Sequence, residues 1–172
     1  LWTSEASGGV TSFSAAATGA TTRTMSLASL TIRLGAHMCK GDVRSLRCWG
    51  DGSRGQLGNG TNTNSITPVQ VNTSGIPMGA SSWISQEAFG DHSCLLDDNG
   101  VAYCWGSNST GQIGDSTYVN KNVPTLVKGL KTFSDIVVGS EHTCGLTRTG
   151  GEIWCWGYNW AGQLGDSTFS NR

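Results

Sequence analysis

Apolar residues along this chain come in short runs, and nowhere do they recur over a long stretch at the 3.6-residue spacing of an amphipathic helix. The pattern predicts strands. Thr31 to Leu34, Ile84 to Phe89 and Ile136 to Val138 form one set, Cys94 to Leu96 and Cys144 to Thr147 a second, and Val101 to Trp105 and Ile153 to Trp156 a third. Between the second and third sets stand Asp97-Asp98-Asn99-Gly100 and Thr149-Gly150-Gly151. Their Gly and Asn supply the positive φ of a tight hairpin, so each group of strands reads as a small antiparallel meander.

The meanders repeat. Cys48-Trp49-Gly50 leads to Gly55-Gln56-Leu57-Gly58, Cys104-Trp105-Gly106 to Gly111-Gln112-Ile113-Gly114, and Cys155-Trp156-Gly157 to Gly162-Gln163-Leu164-Gly165. A His-x-Cys precedes each, at His37-Met38-Cys39, His92-Ser93-Cys94 and His142-Thr143-Cys144. Downstream, Thr61 and Thr117 are each followed by a proline, Pro68 and Pro124, that opens Pro-x-x-Val, whereas the third unit reaches Thr168 and stops at Arg172. Self-similarity at a period of about 50 residues indicates a propeller or solenoid, whose units bury their apolar faces against one another.

Together the His-x-Cys, Cys-Trp-Gly-x-Asn, Gly-Gln-Leu-Gly and Pro-x-x-Val elements resemble the repeat of the regulator of chromosome condensation family, over about residues 31 to 172. The resemblance implies four-stranded blades of a β-propeller. Two departures weaken the regularity of the first unit. The Gly that family members place three residues before the His is kept at Gly139 but is Leu34 and Phe89 elsewhere, and Gly52 stands where Asn108 and Asn159 occur. The fold expected is all-β, an array of about three antiparallel blades with the last incomplete. It divides into residues 1–30, an Ala/Ser/Thr/Gly-rich arm or blade remnant, and repeats at 31–83, 84–132 and 133–172. A closed propeller needs at least about four blades, so further chain or copies of this one are expected to cover its open ends.

Repeated residues mark scaffold. Gly50, Gly106 and Gly157 are expected to allow a bulge or close backbone approach at the strand end, and the Gly-Gln-Leu-Gly turns to deliver Leu57, Ile113 and Leu164 into the core between blades. The three histidines are expected to cap or bond a blade turn. All six cysteines pair across hairpins, Cys39 with Cys48, Cys94 with Cys104 and Cys144 with Cys155. Facing residues of antiparallel strands lie within disulfide reach. One bridge per blade implies an oxidising, extracellular setting. Zinc is the rival reading, but the ligand spacing of tetrahedral sites is missing; no metal and no cofactor is expected.

Composition narrows function by exclusion. With 11 Lys plus Arg against 12 Asp plus Glu, the formal charge is −1, short of the basic field that nucleic-acid binding requires. No phosphate loop, metalloprotease helix or nucleophile elbow occurs, and Asp97-Asp98-Asn99-Gly100 lacks the spacing and distal Glu of a calcium loop. No enzymatic activity is expected. Residues 1–30 have neither the basic start nor the continuous apolar stretch of a secretion signal, and no membrane span is expected. Leu1 in place of Met favours a processed or partial chain.

What remains is contact. Arg54, Tyr118, Tyr158, Trp160 and Phe169 differ from unit to unit and are the candidate partner contacts, aromatics and Arg being enriched at hot spots. Trp160 replaces Ser53 and Ser109 of the other units, its plainer role being to shield a blade edge. Asn59, Asn72 and Asn108 begin sequons for N-glycosylation. The reading is a secreted or cell-surface propeller that binds another protein or a glycan. Its alternative is a subunit that assembles with copies of itself into an extracellular filament. The resemblance adds a more distant possibility, since the family's founding member binds chromatin and promotes nucleotide exchange on a small GTPase. A fold does not carry that activity with it.

Overall fold

The computed structural model describes residues 37–41, 46–78, 83–86, 90–129 and 131–172, all within a compact unit that runs from Arg33 to Arg172. Among the described residues ten strands form three antiparallel sheets. The first contains β1 (His37–Lys40), β2 (Arg47–Gly50) and β3 (Ser65–Gln70). The second has four strands, β4 (Trp83–Gln86), β5 (His92–Leu96), β6 (Ala102–Gly106) and β7 (Lys121–Leu126). The third contains β8 (Phe133–Val138), β9 (His142–Thr147) and β10 (Ile153–Gly157). Neighbours in each sheet are consecutive in sequence, as in a blade.

The strand sets expected from the sequence are present with shifted ends. β8 starts at Phe133 rather than Ile136 because Phe133 is buried and pairs with Thr147. The expected strand at Thr31 to Leu34 lies outside the described residues, as do residues 87 to 89 of the one expected to end at Phe89. The outermost strands β3 and β7 carry Pro68 and Pro124, which an edge strand tolerates because one side of its backbone needs no ladder partner. At the end of each β2-type strand the glycine has a φ of 103°, 106° and 104° at Gly50, Gly106 and Gly157. The register slips just there, between Cys48 and Gly50 and between Cys104 and Gly106. A Cβ on Gly106 would lie 2.3 Å from the Asp91 carbonyl oxygen, so both the conformation and the close approach require glycine. In the third blade Gly157 exchanges backbone bonds with Arg172, the position where the next strand would start.

Each hairpin is closed by a disulfide. Cys39–Cys48, Cys94–Cys104 and Cys144–Cys155 are register partners, with Cα atoms 4.0, 4.1 and 4.1 Å apart, the separation of the closer kind of antiparallel pair. The Asp97 turn is a tight turn, as expected. Its carboxylate accepts the amides of Asn99 and Val101 at 2.8 and 2.9 Å, and Gly100 sits at a φ of 78°.

Alternate residues of the second sheet point to opposite neighbours. Cys39, Cys48, Leu57 and Val71 of the first blade pack on Leu95, Trp105 and Tyr103 of the second. Cys94, Leu96, Ala102, Cys104 and Ile113 of the second pack on Phe133, Ile136, Val138 and Trp156 of the third. Leu57 and Ile113 are completely buried as expected, and Leu164 is half-buried. Among the described residues no further blade packs on it.

Polar bonds pin both seams. The Trp105 indole N–H donates to the Gln56 carbonyl, and that of Trp156 to the Gln112 carbonyl, each at 2.9 Å. The Thr143 hydroxyl donates to the same Gln112 carbonyl at 2.8 Å, so at 2.9 Å from it the His92 Nε2 must be the donor to Thr143 Oγ1. His37 Nε2 meets Ser93 Oγ at 2.6 Å in the first seam. The histidines were expected to cap or bond a blade turn; His37 and His92 instead reach the hydroxyl residue one position after the next blade's histidine. Burial leaves the Nδ1 atoms of His37 and His92 without a partner.

Burial holds His37 down to about 4 against a nearby Asp51, and holds His92 down to about 3, with the positive charges of His37 and His142 adding to the effect. A histidine whose folded value is below its unfolded one stabilises most above about 6.5 and loses that contribution as pH falls toward the folded value. Thermal stability is therefore expected to fall between pH 6.5 and 4.5, by up to about 1.4 kcal/mol per pH unit per histidine. In His92→Gln the slope of melting temperature against pH should drop by about half, since one of two such groups is gone. An unchanged slope contradicts the assignment. Removing the hydroxyl in Thr143→Val strands a buried N–H and should cost about 1–3 kcal/mol in denaturant unfolding, with Thr143→Ser close to wild type.

Candidate functional site

The loops that follow each Cys-Trp-Gly, at 51–64, 107–120 and 158–171, carry all the unrepeated candidates, and their own polar groups build them. The glutamine of each Gly-Gln-Leu-Gly folds back so that its side-chain oxygen accepts the amide two residues earlier, from Arg54, Thr110 and Ala161 at 2.8, 2.9 and 3.0 Å. Asn64, Asn120 and Asn171 accept the amides of Gly52, Asn108 and Asn159 at 3.0, 2.9 and 2.8 Å.

Asn108 and Asn159 are the centres of the second and third loops. The Asn108 amide nitrogen donates to Asp115, to the Thr117 carbonyl and hydroxyl and to the Val119 carbonyl, while its oxygen accepts the Ile113 amide. Asn159 repeats the set with Asp166, Thr168, Ser170 and Leu164. Asp115 and Asp166 are clamped by Lys121 and Arg172, each pair at 2.9 Å. Burial pushes the Asp115 carboxyl up, but hydrogen bonds from Lys121, Thr117 and Asn108 outweigh it and hold the group at about 2. The first loop closes differently, because a Cβ at Gly52 would sit 2.2 Å from the Thr63 carbonyl oxygen, which leaves no room for asparagine.

This network corrects one sequon. Asn108 is fully buried with its amide nitrogen committed, so a glycan there is incompatible with the folded loop. Asn59 holds the position of Asp115 and accepts the amide and hydroxyl of Thr61 at 3.1 and 2.9 Å, a turn role like that of the aspartate. Asn72 is exposed, its side-chain oxygen accepting the Ser74 amide at 3.2 Å. Asn59 and Asn72 line one hollow of about 440 Å³ with Gln70, Val71, Thr73 and Ser74.

The five candidate contacts part company. Arg54 reaches the second blade and pairs with Asp91 at 2.9 Å, with 51% of its side chain exposed. Burial outweighs Arg54 in raising the Asp91 carboxyl, so the pair is a weak clamp between blades. The aromatics are different. Tyr118, Trp160 and Phe169 are 65%, 72% and 71% exposed. Tyr158 stacks on Trp160 with ring centroids 6.1 Å apart and planes 29° from parallel. Tyr158 is thus the ring neighbour of a largely exposed Trp160. Tyr118 and Phe169 occupy equivalent loop positions, beside Gly111 and Gly162. The loops abut: Gly60 and Asn122 exchange bonds of 2.8 and 3.0 Å, and a Cβ on Gly111 would be 3.2 Å from the Arg172 carbonyl oxygen. Exposed aromatics thus recur at blade spacing along one rim.

The disulfides occupy the sulfurs of the expected pairs, and His37 and His92 bond hydroxyls across the seams. The Asn108 and Asn159 centres escaped the sequence reading, although Asp115-Ser116-Thr117 with Lys121 and Asp166-Ser167-Thr168 with Arg172 repeat at the same spacing and signal them.

Comparison with known proteins agrees with this architecture. The human probable E3 ubiquitin-protein ligase HERC4 is 35% identical over 129 residues, which are 73% of this chain and 12% of that protein. Human HERC2, an E3 ubiquitin-protein ligase, is 31% identical over 134 residues, 76% of this chain and 3% of that protein. The chain thus spans a small part of either. The crystal structure of Prp20p from Saccharomyces cerevisiae, described with its binding to Gsp1p and histones, superposes with a TM-score of 0.62 at 18% identity, covering 79% of this chain and 34% of that one. Human WBSCR16 gives 0.59 at 23% identity, covering 72% and 31%. Both share the fold. The model of the regulator of chromosome condensation (RCC1) repeat matches residues 47–96 and 99–146, and a second model of the same description matches 133–163. With more than half of its length matched, the chain belongs to the regulator of chromosome condensation repeat family.

Proposed function

We propose that this chain is part of a non-enzymatic RCC1-repeat propeller that works in an oxidising, extracellular compartment and binds another protein through its loop rim. The observation that carries the binding reading is the exposure of Tyr118, Trp160 and Phe169 on adjoining loops that the Asn108 and Asn159 networks hold rigid. Rigid aromatics lose little entropy on docking, and such residues dominate interface energetics. The compartment is supported by three disulfides that leave no free cysteine. Prp20p, which shares the fold, is described with its binding to Gsp1p and histones. The ligase activity of HERC4 belongs to a protein of which this chain spans 12%.

In a binding assay against the partner cross-linked in the extracellular fraction, Trp160→Ala and Phe169→Ala are each expected to weaken affinity by about tenfold or more, with melting temperature unchanged. Wild-type affinity in both variants removes the rim from consideration. A glycan partner would instead show as Trp160-dependent binding to an immobilised oligosaccharide panel. Free thiols on the natively isolated protein would remove the extracellular assignment and leave the rim untouched.

A further inference from the structure

We infer that the residue immediately after each repeat histidine selects which blade can pack on the preceding one, and that the outer face of the third blade is a docking surface for a blade carrying Ser or Thr there, not for the first blade of a second copy. Two seams show the rule. Ser93 meets His37, and Thr143 meets His92 while also donating to the Gln112 carbonyl. In both seams a tryptophan N–H from the incoming blade reaches the glutamine carbonyl of the receiving one. The incoming blade therefore brings a hydroxyl and an indole to fixed polar positions.

The third blade presents the same receiving set. His142 and Gln163 stand where His92 and Gln112 do, and around them lie Leu146, Ile153 and Leu164, the counterparts of Leu96, Ala102 and Ile113. Those three counterparts are at most 2% exposed, whereas Leu146 is 39% and Ile153 is 75% exposed. The continuity of this face with two filled seams identifies its occupant by chemistry.

The first blade of another copy does not meet that chemistry. At the selecting position it has Met38, which offers no hydroxyl. Where the second blade brings Leu95, completely buried in the seam, the first has Lys40. Seating it would set the long polar side chain of Lys40, where the filled seam has the apolar Leu95, against Leu146 and the Cys144–Cys155 bridge. Head-to-tail growth into a filament by this route is thus selected against.

The test extends the whole chain by a second copy of Asn122–Arg172 after Arg172, which is the counterpart of Lys121, so that the added blade presents its own Thr143 and Trp156 to the open face. Reduction of each disulfide is followed by timed alkylation and peptide mass analysis. The added blade should slow reduction of the original Cys144–Cys155 by about tenfold or more. Thr143→Met in the added blade should undo most of that protection, and Thr143→Ser should keep it. Should the Met-bearing blade fail to fold, the unextended chain supplies the second readout, in which Thr143→Met makes Cys94–Cys104 more reducible and Thr143→Ser does not. Equal protection by Met and Thr overturns the selection rule. Protection of Cys144–Cys155 that rises with concentration of the unextended chain, together with oligomers in sedimentation, overturns the exclusion of copies.

Discussion

The backbone carbonyl of Gln112 is the point on which one whole seam hangs. It accepts the Trp156 indole and the Thr143 hydroxyl at once, using both lone pairs of a carbonyl that lies inside a turn and belongs to no strand ladder. The Gly-Gln-Ile-Gly turn exists to expose that oxygen while its side chains serve other ends. Ile113 fills the apolar seam, and the Gln112 side chain closes the loop by accepting the Thr110 amide. One short turn therefore fixes the distance between two sheets, the packing between them and the conformation of the loop above.

That coupling explains the rigidity of the rim. Asn108 and Asn159 tie the turn to the far side of each loop through their amides, so the position of Tyr118 or Phe169 follows from a network rooted in the core. The first loop lacks the asparagine because its backbone closes on Gly52, and it presents no aromatic at the equivalent position, Asn62. The exposed aromatics thus sit on the two loops that the asparagines centre.

Much of the fold was legible from the chain because repetition multiplies weak signals. A single Cys-Trp-Gly carries little, but three in register with His-x-Cys separate scaffold from variation, and facing cysteines on a hairpin leave few pairings. The strand limits were less legible, since β8 extends to Phe133 for reasons of burial that one strand cannot show. The histidines were misread for a deeper reason: a periodic sequence tells which residues are equivalent, not which neighbouring unit each one touches. His92 and Thr143 are 51 residues apart, almost one full period, and nothing local links them. Asn108 was read as a sequon because Asn-Ser-Thr is a surface signal when taken alone. Its counterpart Asn159, followed by Trp160 and Ala161, has no such signal and points instead to a shared structural duty.

The matched repeat units do not coincide with the sheets. Residues 99–146 begin before β6 and end within β9, so one unit takes the outer strands of one blade and the inner strands of the next. Gln112 and Thr143 fall in the same unit, on the two sides of a single seam. A duplication that copies this stretch copies the Thr143–Gln112 bond intact, while His92 and Trp156 of the same seam lie outside it and come from the adjoining units. The copy enters the array through the middle of a sheet, between two strands that a disulfide joins. What such a unit inherits is one bond of a joint and half of two plates, so the array lengthens only where the next unit brings the residues that complete both.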